Sequence, residues 1–348
     1  MILEDWYDEK TKTFTIHYSF NYVLKYIPID TKIIIFTKYY SYYDEPIFIQ
    51  KVYNLLPNLT HLIFGDNYNY KADNLPPNLT HLTFGILFNQ NVDCLPKNLT
   101  FLVFKKNFNQ KINNLPQSLT DLNLCGIFNQ KIDNLPQSLT TLNLNDNFNQ
   151  KIDKMPKNLT KLFLSINFNQ KIDKLPKNLI ELFLGDNFNQ KVNKMPKNLT
   201  YLTFNICSHF NQSVDDLPKK LTQLTLGNSF NQTVDNLPKK LTYLNFGRIF
   251  NQKVDKLPQT LTHLIFGDEF NQKIDKLPQK LTHLIFGVCF NQKVNNLPQN
   301  LTFLTFSKHF NQKINNLPFT IKQIRIYNKK LIEKIPFGCE IFELFWGP

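Results

Sequence analysis

Apolar side chains recur along this chain at fixed offsets within a unit of 20 residues. In residues 99–118 they are Leu99, Leu102, Phe104, Phe108, Ile112 and Leu115, with Pro116 directly behind. No helical period fits that set, and a proline in every unit leaves no room for a long helix. The stretch Leu99-x-x-Leu102-x-Phe104 alternates instead as a short strand with Leu102 and Phe104 turned inward. The rest of the unit is predicted to run extended back to the next strand.

The tripeptide Phe-Asn-Gln marks the repeat at 88, 108, 128, 148, 168, 188, 210, 230, 250, 270, 290 and 310. Every spacing is 20 residues except 188 to 210, which is 22. Self-similarity at this period is the mark of a solenoid. A single turn buries too little apolar surface to offset the ordering of its backbone, so neighbouring turns must stack on one another. The repeated Asn109, Asn129, Asn149, Asn169 and Asn189 are expected to form a structural ladder. Their side chains would lie inside, with the amides bonded to backbone groups of their own and adjacent turns. The Phe148 column would run beside them as an aromatic spine.

The pattern resembles a leucine-rich repeat, and more closely the FNIP repeat family. The likeness is carried by Phe148-Asn149-Gln150, Ile152, Leu135-Pro136 and Leu139-Thr140-x-Leu142-x-Leu144, recurring over roughly residues 20 to 345. It implies a β-rich, leucine-rich-repeat-like solenoid with a parallel β-sheet on one face, extended return segments and little helix. The family is best known from amoebae and the giant viruses that infect them. The composition agrees with an AT-rich genome, since alanine occurs once, at Ala72, among abundant Asn, Lys, Ile and Phe. An F-box or kinase domain can precede the family's repeats, but the nineteen residues ahead of Phe20 are too few for either.

Along the chain, residues 1–19 read as a β-hairpin cap, with Phe14, Ile16 and Tyr18 alternating and Trp6 packed on it. The repeat solenoid follows over 20–326. It is interrupted by a tyrosine-rich insertion, Thr37–Glu45, and a two-residue insertion within Asn205–His209 that should bulge after its strand. Residues 327–348 read as a degenerate capping turn, closed by Glu340, Glu343 and Trp346.

Composition excludes several classes of function. No apolar run is long enough to span a bilayer and no secretory leader is evident, so no membrane partner and an intracellular, cytoplasmic setting are expected. Five cysteines at scattered repeat positions (Cys94, Cys125, Cys207, Cys289, Cys339) form neither a disulfide framework nor a zinc motif. His61 and His81 share a strand position, as do His263 and His283, but no third ligand accompanies either pair, so no metal and no cofactor is expected. Asp133, Asp153 and Asp173 recur with the repeat, which assigns them to turns rather than to a catalytic pair. No nucleotide-binding or nucleophile motif is present, and the chain does not read as an enzyme.

The formal charge of +13 comes largely from lysine columns, such as Lys111, Lys131 and Lys151, or Lys154, Lys174 and Lys194, or Lys157, Lys177 and Lys197. Such columns could track phosphates, which makes an anion- or nucleic-acid-binding module the alternative function. The aspartates between them favour a solvated edge.

Two strand positions vary while all else is copied. One reads Phe101, Lys161, Glu181, Tyr201, Tyr243, His263 and Phe303 in successive or nearby turns, and the other includes Phe163 and Phe183. Both columns should lie on the outward sheet face, the surface that solenoids use for binding. The sequence therefore reads as a protein–protein interaction scaffold, its partner drawn from a host cell. The expected centre of binding is the pair Phe163 and Phe183, fringed by Lys161, Glu181 and Tyr201.

Overall fold

The computed structural model describes residues 6–16, 27–37 and 55–344. The tyrosine-rich insertion beyond Thr37, the first Phe20-Asn21-Tyr22 and Trp346 lie outside them. The chain divides into two compact units, residues 1–166 and 167–348.

The first unit carries β1 (Tyr7–Asp8), β2 (Thr13–Ile16), β3 (Ile33–Phe36), β4 (His61–Ile63), β5 (His81–Phe84), β6 (Phe101–Phe104), β7 (Asp121–Leu124), β8 (Thr141–Leu144) and β9 (Lys161–Leu164). Strands β1 and β2 form an antiparallel hairpin, Tyr7 opposite Phe14. The ring of Trp6 meets Phe14 edge-on at 6.5 Å. Strand β2 does more than cap, since it also pairs in parallel with β3 and so begins the repeating sheet. From there to β9 each strand pairs in parallel with the next, shifted by one repeat, as in Phe101↔Asp121 and Leu102↔Leu122.

The second unit carries β10 (Glu181–Leu184), β11 (Tyr201–Phe204), β12 (Gln223–Thr225), β13 (Tyr243–Asn245), β14 (His263–Ile265), β15 (His283–Ile285), β16 (Phe303–Thr305), β17 (Gln323–Ile326) and β18 (Glu340–Glu343). All are parallel in sequence order, and the final turn still contributes a strand, with Gln323 opposite Glu340. The two-residue insertion after β11 leaves Ile206 70 % exposed and buries Ser208 completely. Helix is confined, among the described residues, to short 3-10 turns such as Lys329–Leu331.

Each strand is so short because the proline of each turn sets it up and a bend ends it. The carbonyl of Pro96 accepts the N–H of Leu99, closing a β-turn immediately before β6. Within strands the burial alternates, with Leu102 and Phe104 fully buried between half-buried neighbours. In the interior Phe88, Phe108, Phe128 and Phe148 stack at 6.0–6.2 Å in the first unit. The rings from Phe168 to Phe310 do the same in the second. The strand aromatics add a second row, for instance Phe84 against Phe88 at 3.7 Å.

The asparagine column departs from expectation in one respect. Asn109 is half-buried, and Asn129, Asn149, Asn169 and Asn189 are exposed rather than interior. Their ladder runs along the surface. The Oδ1 of Asn109 accepts the backbone N–H of Asn129 at 3.0 Å and the side-chain N–H of Gln130 at 3.2 Å. Asn129 receives Asn149 and Gln150 in the same way, and Asn169 receives Asn189 and Gln190. An amide whose oxygen meets two donors from the next turn can leave its other edge in water, so burial is unnecessary.

Candidate functional site

The outward face of each sheet is built from the two variable strand positions. Alternation sends Leu162 and Leu164 inward and leaves Lys161 exposed and Phe163 half-buried on β9. On β10 the same alternation half-buries Glu181 and Phe183. These phenylalanines are therefore less exposed than the pattern alone suggests, because the strand spacing of about 4.8 Å lets neighbouring side chains shield one another. Phe163 belongs to the first unit and Phe183 to the second. Phe183 packs against Tyr201 of β11 with ring centroids 5.1 Å apart.

In the second unit the first outward column becomes a row of rings. Tyr243 lies 6.1 Å from His263, His263 stacks on His283 at 4.2 Å, and His283 lies 5.6 Å from Phe303. The guanidinium of Arg325, from the second outward column, sits 5.3 Å from the Phe303 ring centroid. A shorter row in the first unit joins His61, His81 and Phe101, with spacings of 4.1 and 5.4 Å. The histidines of these rows are legible in the sequence as shared strand positions, whereas Arg325 lies one turn beyond the variable positions read there. His81 and His283 simply continue theirs, while Arg325 replaces the Thr305 of the turn before.

Each imidazole is anchored through Nδ1 to the threonine before it. Thr262 Oγ1 donates to the Thr242 carbonyl at 3.0 Å and also lies 3.0 Å from His263 Nδ1. The hydroxyl and Nδ1 share a hydrogen bond whose direction follows the ring's tautomer, and Nδ1 is occupied either way. The same pairing holds for Thr60 with His61, Thr80 with His81 and Thr282 with His283. Burial, followed by the neighbouring imidazole, lowers the pKa of His61 and of His263. The stacked planes differ by only 14° and 11°, so in each pair the two rings lie face to face. Among the described residues no group of three or more His, Cys, Asp or Glu side chains is placed to hold a metal.

Other groups with chemical potential are occupied or muted. Cys125 lies beside Lys105, Gly126 and Asp146 in a shallow hollow. Burial raises its thiol pKa, which opposes a thiolate nucleophile. Asp146 itself accepts the Gly126 N–H at 2.9 Å, and Lys105 pairs with Asp66 at 3.1 Å. In the carboxylate column, Asp235 pairs with Lys256 at 3.0 Å. No helix of the described residues is long and apolar enough to cross a membrane.

Comparison with known proteins agrees with this architecture. CroV588, a circular leucine-rich-repeat protein, is 30 % identical over 91 % of this chain and 76 % of its own, with a TM-score of 0.33. YopM from Yersinia enterocolitica is 20 % identical over 83 % of this chain and 69 % of its own, with a TM-score of 0.57. An internalin of Listeria monocytogenes (InlF) is 16 % identical over 83 % and 87 %, with a TM-score of 0.51. The Drosophila Toll–Spätzle complex is matched at 16 % identity over 76 % and 42 %, with a TM-score of 0.55. No curated protein matches. Residues 53–87, 88–126, 128–167, 168–207, 210–249 and 250–289 each match the FNIP Repeat, and the chain belongs to that family.

Proposed function

We propose that this chain is a non-enzymatic scaffold that holds a protein partner on the outward face of its parallel sheets, inside the cell. The observation that carries the reading is the row Tyr243–His263–His283–Phe303 with Arg325 at its end. Tyrosine and arginine are enriched at binding hot spots, and rings already stacked in place lose little freedom when a partner covers them. The smaller groups on the same face are Phe101 in the first unit, Lys161 with Phe163, and Glu181 with Phe183 and Tyr201. The Toll–Spätzle structure, a protein complex of a fold relative, supports the same use of this architecture. A host protein is the proposed partner.

The test is affinity capture followed by quantitative mass spectrometry, comparing wild type with Phe183→Ala/Tyr201→Ala, Phe163→Ala and Tyr243→Ala/Phe303→Ala. Truncating a hot-spot ring costs a complex about 2 kcal/mol or more, a loss of roughly thirtyfold in affinity. At least one variant should lose a partner while melting as wild type does. Retention of every partner by all three would overturn the reading.

A further inference from the structure

In the turn that precedes each strand, the residue after proline stands at the tip. From the fourth turn onward that position reads Lys97, Gln117, Gln137, Lys157, Lys177, Lys197, Lys219, Lys239, Gln259, Gln279 and Gln299, and then Phe319 and Phe337. The two phenylalanines are 88 % and 105 % exposed, and the adjoining Ile335 is 53 % exposed where its counterpart Leu297 is buried. Their turns are well formed. Ile321 N–H donates to the Pro318 carbonyl and Cys339 N–H to the Pro336 carbonyl, each at 3.2 Å, so both rings are fixed at corners rather than trailing from a loose end. The strands that follow, β17 and β18, are hydrogen-bonded neighbours, which puts the corners on adjacent turns, roughly 5 Å apart along the backbone.

The last turns, which carry this pair, have a cationic sequence. Residues 307–344 hold seven Lys or Arg against three acids. Lys313 pairs with Glu333 at 3.3 Å, Lys329 with Glu343 at 3.2 Å, and Arg325 lies on the sheet face against Phe303; the other cations are Lys308, Lys322, Lys330 and Lys334. The carboxylate column that offsets the lysines elsewhere ends at Asp275 and continues as Asn295 and Asn315. On the same rim of this unit, Lys177, Lys197, Lys219 and Lys239 are exposed at the tip position, with Lys220, Lys240 and Lys280 exposed beside them.

We propose that this rim of the second unit docks on an anionic lipid surface, with Phe319 and Phe337 inserted between headgroups and the lysines against lipid phosphates and carboxylates. A protein hot spot usually seats its ring in a pocket within an apolar surround. Here the two rings, with Ile335 beside them, project from corners on a rim whose other tips are Lys and Gln, and an interfacial lipid layer accepts such a small projecting apolar group. Apolar insertion and a polybasic patch are each weak alone and stable in combination. The cytoplasmic leaflet presents the matching charge, and surface docking needs no spanning segment.

The test is co-sedimentation of the full chain with phosphatidylcholine vesicles, with and without phosphatidylserine. Wild type should bind the phosphatidylserine vesicles, bind pure phosphatidylcholine weakly, and release as salt is raised. Phe319→Gln/Phe337→Gln installs the residue that neighbouring turns carry there, so the fold is retained, and partition should fall about tenfold or more. Lys219→Gln/Lys239→Gln should weaken binding to phosphatidylserine vesicles alone. Absence of binding, or equal binding by the phenylalanine variant, overturns the proposal. Wild-type dimers in light scattering that the phenylalanine variant abolishes would identify a contact between copies instead and overturn it as well.

Discussion

The side-chain oxygen of Asn231 accepts the backbone N–H of Asn251 at 2.9 Å, one full turn further along the chain. It also takes an N–H from Gln252 at 3.1 Å. Asn231→Leu removes one acceptor and strands two donors of the following turn. Each half-buried donor left unmet costs about 1–3 kcal/mol at most. The variant should melt below wild type, and an unchanged denaturation curve would refute the ladder's structural role.

Close approach of successive backbones gives a second, sharper prediction. A Cβ added to Gly247 would fall 1.8 Å from the carbonyl oxygen of Gly227, an atom fixed in its own turn. A Cβ at Gly65 would instead rest 3.5 Å from Phe36 Cβ, in ordinary contact. Gly247→Ala should therefore destabilise by about 1–3 kcal/mol or more, whereas Gly65→Ala should change little. Urea titrations of the two variants distinguish the cases, and equal midpoints would contradict the contact geometry.

The threonine ladder should matter less. Thr222 carbonyl already receives backbone N–H groups from Thr242 at 2.8 Å and Tyr243 at 3.1 Å, and the Thr242 hydroxyl adds a third donor at 3.1 Å. Thr242→Val deletes that third donor and leaves the carbonyl satisfied. A loss of about 0.5–1 kcal/mol is expected, measured by the same titration. A loss as large as that of Asn231→Leu would show that the hydroxyl does more than reinforce the strand.

Stability should also respond to pH through the histidine pairs. The pKa values of His61 and His263 are lowered from 6.5 by burial and by the adjacent ring. As pH falls through about 6.5 the unfolded chain takes up protons first, so this contribution is present above that value and lost below it. Melting temperature should fall between pH 7.5 and 5.5. His61→Phe/His263→Phe should flatten that fall while keeping the stack, since Phe101 and Phe303 already occupy the same column. An unaltered pH profile in the double variant would assign the dependence to other groups.

Much of this architecture is legible in the residues because the repeat removes ambiguity. Leu102 and Phe104 recur with their neighbours in turn after turn, so the inward face is stated many times over. The repeat alone does not place the asparagine ladder. A polar residue repeated without fail looks buried, yet Asn129 and Asn149 show that a surface amide is constrained just as tightly when the next turn uses its oxygen. The hairpin strand β2 likewise reads as separate from the repeats, because nothing in Thr13–Ile16 carries the Leu-Pro signature, yet it pairs in parallel with β3. Outwardness of Phe163 and Phe183 follows from strand parity, but their degree of cover depends on side chains from adjacent strands, which parity does not encode.

The asparagine ladder also has a direction. Asn69 serves Asn89, Asn89 serves Asn109, and in the second unit Asn271 serves Asn291, which serves Asn311. The acceptor always belongs to the earlier turn and the donor to the later one. The threonine carbonyls follow the same rule, with Thr262 receiving Thr282 and Thr282 receiving Thr302. A chain leaving the ribosome from its N-terminus thus meets, turn by turn, acceptors that are already in place. The grain of these two ladders matches the order of synthesis, and each new turn can be fastened to finished structure without waiting for the one behind it.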